Sequence, residues 1–199
     1  MHKGRLEAFS DGVLAIILTI MVLEIKVPHG TQFADLKPLL PVTLSYVLSF
    51  IYIGIYWNNH HMMLASTSRV SGGVLWANLH LLFWLSLVPF VTGWMGENHF
   101  AKATLVMYGV VLLMAGLAYW LLQNCIIAIE GPESVLAQAV GRDFKGKSSP
   151  PLYCLGILAS FWNPWAAGAV YVGVALMWLI PDRRIERTLV DEVAAKHNG

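Results

Sequence analysis

Charge is scarce in this sequence. Asp, Glu, Lys and Arg together make up 13% of its 199 residues, against about 25% in a soluble globular domain. A chain this poor in charge is neither intrinsically disordered nor a secreted soluble enzyme. Cysteine is scarce too. Cys125 and Cys154 both stand in apolar stretches, at no spacing that makes a metal or redox site, so a small disulfide scaffold is excluded and both read as small apolar residues. The net charge of +1 offers no basic excess to draw nucleic acid or another polyanion. The opening MHKGRLEAFSDG has no signal-peptide cleavage pattern, so the first apolar segment is expected to remain. No hydrolase, kinase or dinucleotide motif is present, which speaks against an enzyme.

What the chain has in excess is apolar surface: 57% hydrophobic residues and a mean hydropathy of +0.61. A membrane span takes about 20 mostly apolar residues. Four runs qualify, at 6–27, 38–59, 73–95 and 101–129. The last apolar block, 150–180, is too long for one ordinary helix and is interrupted by Asn163-Pro164. Proline ends or kinks a helix, so the block reads as two shorter spans, 150–162 and 165–181, with a single kinked helix as the alternative. Six spans put both termini on one side, and lysine and arginine choose it. With the termini inside, the inner segments carry Lys3, Arg5, Arg69, Arg142, Lys145, Lys147, Arg183, Arg184, Arg187 and Lys196, and the outer segments only Lys26, Lys37 and Lys102. Both termini are expected in the cytoplasm. Trp57, Trp94, Trp165 and Trp178 fall near span ends, as an aromatic belt does. The stretch 130–149 reads as a cytoplasmic loop. A six-helix membrane domain over 1–182 is followed by a short solvated tail, 183–199.

Polar groups inside a membrane are costly and are functional candidates by default. Ser10 and Asp11 lie one or two turns into the first span. Asp11 is either an interfacial carboxylate favoured by the helix dipole or part of a site. Gly12, Ile16, Thr19, Leu23 and Lys26 follow at steps of 4, 3, 4 and 3, a heptad-like seam on one face. It is either a packing face, with Thr19 bonded back to its own helix, or a pore lining contributed by several copies. Trp76, Asn78 and His80 in the third span fall near the depth of Ser10 and Asp11, so the two sets are expected to satisfy one another. Beside a carboxylate a histidine is also a pH-sensor candidate. His60 and His61 invite a metal or haem, but neighbours on a helix point about 100° apart, and the reading kept is a pair of interfacial polar residues.

The run Arg5-Leu6-Glu7-Ala8-Phe9-Ser10-Asp11 resembles the RxxxFSD signature of the transmembrane protein 175 family. The continuation to Pro28, the third-span pattern Leu75-Trp76-Ala77-Asn78 with Pro89-Phe90, Asn163-Pro164-Trp165 and Ile180-Pro181-Asp182-Arg183-Arg184 are similar to its bacterial branch. The resemblance implies a potassium-permeable cation channel of the cell membrane. It implies one six-span repeat per chain, assembly as a homotetramer, and a pore lined by the first helix without a re-entrant filter loop. Carried over by position, Ile16 is the aliphatic constriction and Thr19 the hydroxyl one turn outward, with Ile20 and Leu23 as the next layers. The motif residues Arg5, Phe9, Ser10 and Asp11 are implied to join a network with Trp76, Asn78 and His80. Ile20 sits at the edge of the seam.

The filter sequence of ordinary potassium channels is absent, and aliphatic rings do not replace a hydration shell, so modest selectivity is expected. The expected partners are potassium ions, the lipid bilayer and three further copies of the chain, with no nucleic acid, resident metal or cofactor. The rival reading is a proton-coupled or proton-conducting transporter using Asp11 and His80 as a relay.

Overall fold

The structure, a computed structural model, describes residues 3–141 and 144–179. The tail 183–199 lies outside them, as do Arg142, Arg183, Arg184, Arg187 and Lys196 from the charge count. All regular structure among the described residues is helical. The α-helices are α1 (Lys3–Leu23), α2 (Leu40–Ala65), α3 (Gly72–Ser86), α4 (Val88–Glu97), α5 (Lys102–Glu130), α6 (Val135–Gly141), α7 (Phe144–Ala159) and α8 (Pro164–Leu179), with a 3-10 helix at Phe33–Leu39. Four segments among these residues are long and apolar enough to cross a membrane: Lys3–Leu23, Phe33–Ala65, Gly72–Glu97 and Lys102–Glu130.

Cross-helix contacts fix the directions. Lys3 Nζ donates to the Ala65 carbonyl and Trp57 Nε1 to Asp11, so α1 and α2 run antiparallel. Ser10 meets Asn78 and Lys26 meets Glu97, so α1 runs parallel to α3 and α4. Ser49 bonds Tyr108, and Tyr119 donates to the Asn59 carbonyl, so α2 and α5 are parallel. Trp178 Nε1 donates to Ser149 Oγ at 2.8 Å, while Gly156 faces Tyr171. α7 and α8 therefore form an antiparallel hairpin.

Helix ends follow local chemistry. The first helix stops at Leu23, short of the expected Val27, where the Glu24 and Ile25 amides switch to tighter i→i−3 bonds. The third segment is not one helix. Pro89 has no N–H to give the Leu85 carbonyl, and the segment breaks at Leu87, between α3 and α4. The long α5 ends at Gly131, whose φ of 98° lies where a side chain is strained. At the last turn Asn163 Oδ1 accepts from the Trp165 and Ala166 amides, and Pro164 takes the first helical position.

Two expectations about the C-terminal third change. The stretch 130–149 is not a plain loop: it holds α6 and the first turns of α7. That helix starts at Phe144 and carries Pro150 and Pro151 in its interior. The Ser148 and Ser149 hydroxyls donate to the Lys145 carbonyl, and Trp178 ties the extension to α8. The described parts of α7 and α8 run to 16 residues each, about 24 Å.

Tyrosine and glycine hold the peripheral helices together. Tyr52 donates to the Tyr171 carbonyl at 2.6 Å, and Tyr171 donates to the Leu105 carbonyl at 3.0 Å. Tyr171 is fully buried against Gly109 of α5 and Gly156 of α7, where an added methyl group would overlap its ring or hydroxyl. Between apolar helices in lipid, close approach at small residues and satisfied polar groups replace the hydrophobic drive. Tyr171 in two glycine notches supplies both.

Candidate functional site

The first helix has two faces. Leu6, Ser10, Leu14, Ile17 and Met21 recur at steps of 4, 4, 3 and 4 and are buried against α2, α3 and α4. Opposite them, Phe9, Gly12, Ile16, Thr19, Ile20 and Leu23 are uncovered. Ile16 is 57% and Leu23 77% exposed, while Ile17, the next residue, is 4% exposed. A rotation of about 100° separates core from an apolar face that nothing among the described residues covers. Lys26 leaves this seam: it lies beyond α1 and pairs with Glu97 at the end of α4. That hydrogen bond and charge raise the Lys26 ammonium above its ordinary pKa.

Thr19 has a defined polarity. Its hydroxyl donates back to the Ala15 and Ile16 carbonyls at 3.1 and 3.0 Å. The hydrogen is spent on the helix, and the oxygen lone pairs are left for the exposed side. A group facing that side at Thr19 meets an acceptor, which suits a cation better than an anion.

Behind the uncovered face lies a buried polar clamp. Asn78 Nδ2 donates to Ser10 Oγ at 3.0 Å, and Ser10 donates to the Leu6 carbonyl at 2.9 Å. Asn78 Oδ1 stands 2.7 Å from His60 Nε2. A carbonyl oxygen only accepts, so His60 Nε2 carries the proton and donates. The chain of donors runs one way, from α2 through α3 to α1. Ser10 and Asn78 are fully buried and His60 nearly so.

The remaining signature residues lie elsewhere. Asp11 is half-buried and accepts from Trp57 Nε1 of α2 at 3.0 Å. It makes no hydrogen bond to α3 among the described residues. His80 is exposed and accepts from Trp84 of its own helix at 3.4 Å, so no hydrogen bond joins it to Asp11. Trp76 is exposed. Arg5 is exposed without a hydrogen bond or ion pair among the described residues, and Phe9 lies on the uncovered face. Of the span-three candidates, only Asn78 meets the motif.

His60 and Trp57 enter the site from α2, where the sequence reading put interfacial residues. A signal existed. Ser45, Ser49, Tyr52, Tyr56 and His60 recur at steps of 4, 3, 4 and 4 and are all buried. That is one face of a helix continuing past Asn59 to Ala65.

Comparison with known proteins gives a consistent picture. Residues 5–89 match the family model described as endosomal/lysosomal potassium channel TMEM175. The chain is 56% identical over 189 residues to a potassium channel of Chryseobacterium sp. (strain P1-3), covering 95% of this chain and 98% of that one. It is 30% identical over 195 residues to a potassium channel of Chamaesiphon minutus, covering 90% and 94%. Its fold is similar to the crystal structure of a lysosomal potassium-selective channel TMEM175 homolog from Chamaesiphon minutus. There the TM-score is 0.75 at 27% identity, over 89% of this chain and 96% of that chain.

Proposed function

The chain belongs to the TMEM175 family of potassium channels, and from that premise we propose that four copies surround a pore lined by the exposed face of α1. It is a multi-pass membrane protein and a potassium channel, not an enzyme. In the pore reading, both termini are cytoplasmic in the cell membrane, and α7 and α8 complete six spans.

The observation that carries this reading is the uncovered face of α1. Gly12, Ile16, Thr19, Ile20 and Leu23 are exposed among the described residues while the opposite face is packed. A lone chain in lipid would have no use for a hydroxyl acceptor in that stripe. Around a four-fold axis the same residues supply an aliphatic ring at Ile16 and a ring of oxygens one turn outward at Thr19. The Ile16 ring is narrow and apolar, and such constrictions gate by expelling water. The Ser10–Asn78–His60 clamp fixes α1 from behind, so that the ring presents a constant diameter.

Selectivity in this arrangement is modest. Isoleucine side chains cannot replace an ion's hydration shell, and one threonine ring offers few oxygens beside a stack of carbonyls. The test is potassium and sodium flux from purified protein in liposomes, with the molar mass of the detergent-solubilised particle measured in parallel. Potassium flux exceeding sodium flux from a particle of four chains supports the reading. A stable monomer carrying the full flux overturns the pore.

A further inference from the structure

A cavity of about 310 Å³ lies between α2, α5 and α7, away from the α1 face. That volume is at the lower end of the range for small-molecule sites, about 300–1,000 Å³. Its walls are mostly aromatic and aliphatic, with Asn59, Lys147 and Ser149 also among them, and two further polar groups stand out. Gln123 of α5 is only 7% exposed, yet its amide has no hydrogen-bond partner among the described residues. Tyr56 of α2 is largely buried too, and its hydroxyl has none either. Every other buried polar side chain among the described residues has a protein partner. No buried side-chain nitrogen or oxygen among the described residues is left unpaired, so these two groups open onto the cavity and are free to bond whatever fills it.

The rim says where the occupant comes from. Leu117 and Trp120 line the cavity and are exposed apolar side chains on a spanning helix, so it opens where hydrocarbon lies. Gln123 stands seven residues from the end of α5 at Glu130, about 10 Å along the axis. That depth is toward the membrane–water boundary, where lipid ester carbonyls lie, rather than at the bilayer centre. We propose that this cavity holds one membrane glycerolipid per chain, an ester carbonyl accepting from Gln123 and Tyr56 and an acyl chain lying along Leu117 and Trp120. The site rests on α5 crossing the membrane and stands apart from the pore reading.

Gly116 allows the cavity to be filled cleanly. It lies on the cavity wall, and a Cβ there would meet the Tyr153 ring and Tyr56 hydroxyl only at ordinary contact, 3.7 and 3.8 Å. The experiment uses native mass spectrometry of the full-length protein in detergent, titrated with dioleoylphosphatidylglycerol and with its ether-linked analogue, which lacks the carbonyls. The parent is expected to retain one ester lipid per chain and to bind the ether lipid about tenfold more weakly, the worth of two modest hydrogen bonds in a membrane. Gly116→Leu is expected to lose the tight lipid. Gln123→Leu is expected to narrow the preference for the ester lipid, and Gln123→Leu combined with Tyr56→Phe to abolish it. If folded Gly116→Leu retains the lipid as tightly as the parent, the proposal fails. Should Gly116→Leu not fold, the Gln123→Leu arm decides: an unchanged preference for ester over ether lipid overturns the proposal. Potassium flux is not the readout, so failure here leaves the channel reading untouched.

Discussion

Asn78→Ala tests the clamp that holds the first helix. Asn78 is completely buried and joins three helices, donating to Ser10 at 3.0 Å and accepting from His60 at 2.7 Å. The two losses are unequal. Ser10 keeps its bond to the Leu6 carbonyl, so breaking its link to Asn78 costs only a typical bond between membrane helices, about 0.6 kcal/mol. His60 Nε2–H is left buried without an acceptor, at about 1–3 kcal/mol. The expected destabilisation is about 2–4 kcal/mol, with most of it on the His60 side. The assay is dodecyl sulfate titration of the detergent-solubilised protein followed by circular dichroism. His60→Phe combined with Asn78→Leu should lie closer to the parent than Asn78→Ala alone, because removing both partners leaves nothing unpaired. If Asn78→Ala unfolds within about 0.5 kcal/mol of the parent, or the His60 and Asn78 substitutions simply add, the one-way chain of donors does not contribute to stability as reasoned here.

Other expectations follow from the same geometry. Ile16→Asn places amides on the exposed face of α1 and is expected to raise basal cation flux and lower potassium over sodium discrimination in liposomes, with Ile16→Leu near the parent. Ile17→Asn, one residue on, buries an amide in the core and is expected to unfold the protein rather than retune it, seen as a lower thermal midpoint with unchanged selectivity in the folded fraction. Trp57→Phe and Asp11→Ala should each weaken assembly, and a double-mutant cycle read by particle mass should give a coupling of about 0.5 kcal/mol or more; strict additivity would refute their hydrogen bond. Gly109→Ala forces a methyl group against the Tyr171 hydroxyl and should cost about 1–3 kcal/mol, partly recovered by Tyr171→Phe. Gly156→Ala meets the ring itself and should not be recovered by that change.

The seam on the first helix could be read from spacing alone, because a 3.6-residue period separates Ile16 from Ile17 whatever surrounds them. The meeting of Ser10 with Asn78 was reachable by counting turns in two parallel spans. His60 was not found. The cluster of two asparagines and two histidines looked like the end of a span, yet α2 continues to Ala65 and hides His60 through bonds made far away in sequence. Asp11 was expected to look toward α3, but a carboxylate accepts from whichever donor the packing brings, and α2 brings an indole. Pro89 announced the break at Leu87, but a continuous apolar run masked it. Pro150 suggested a helix start, and two serine back-bonds with a tryptophan tie carried the helix six residues earlier.

That break at Leu87 has a mechanical meaning. Ile16, Ile17 and Ile20 share one groove with Ser86, Pro89 and Phe90, so α1 leans on a joint, not a beam, at the level of its proposed narrowing. The two struts on either side of the joint are anchored to different neighbours: α3 chiefly to α5, α4 chiefly to α2. A tilt applied to the lower strut need not be passed to the upper one, since the missing Pro89 amide removes a rung that would otherwise keep them collinear. In the proposed pore, the support behind α1 is therefore articulated at the height where a small lateral displacement would change the bore the most.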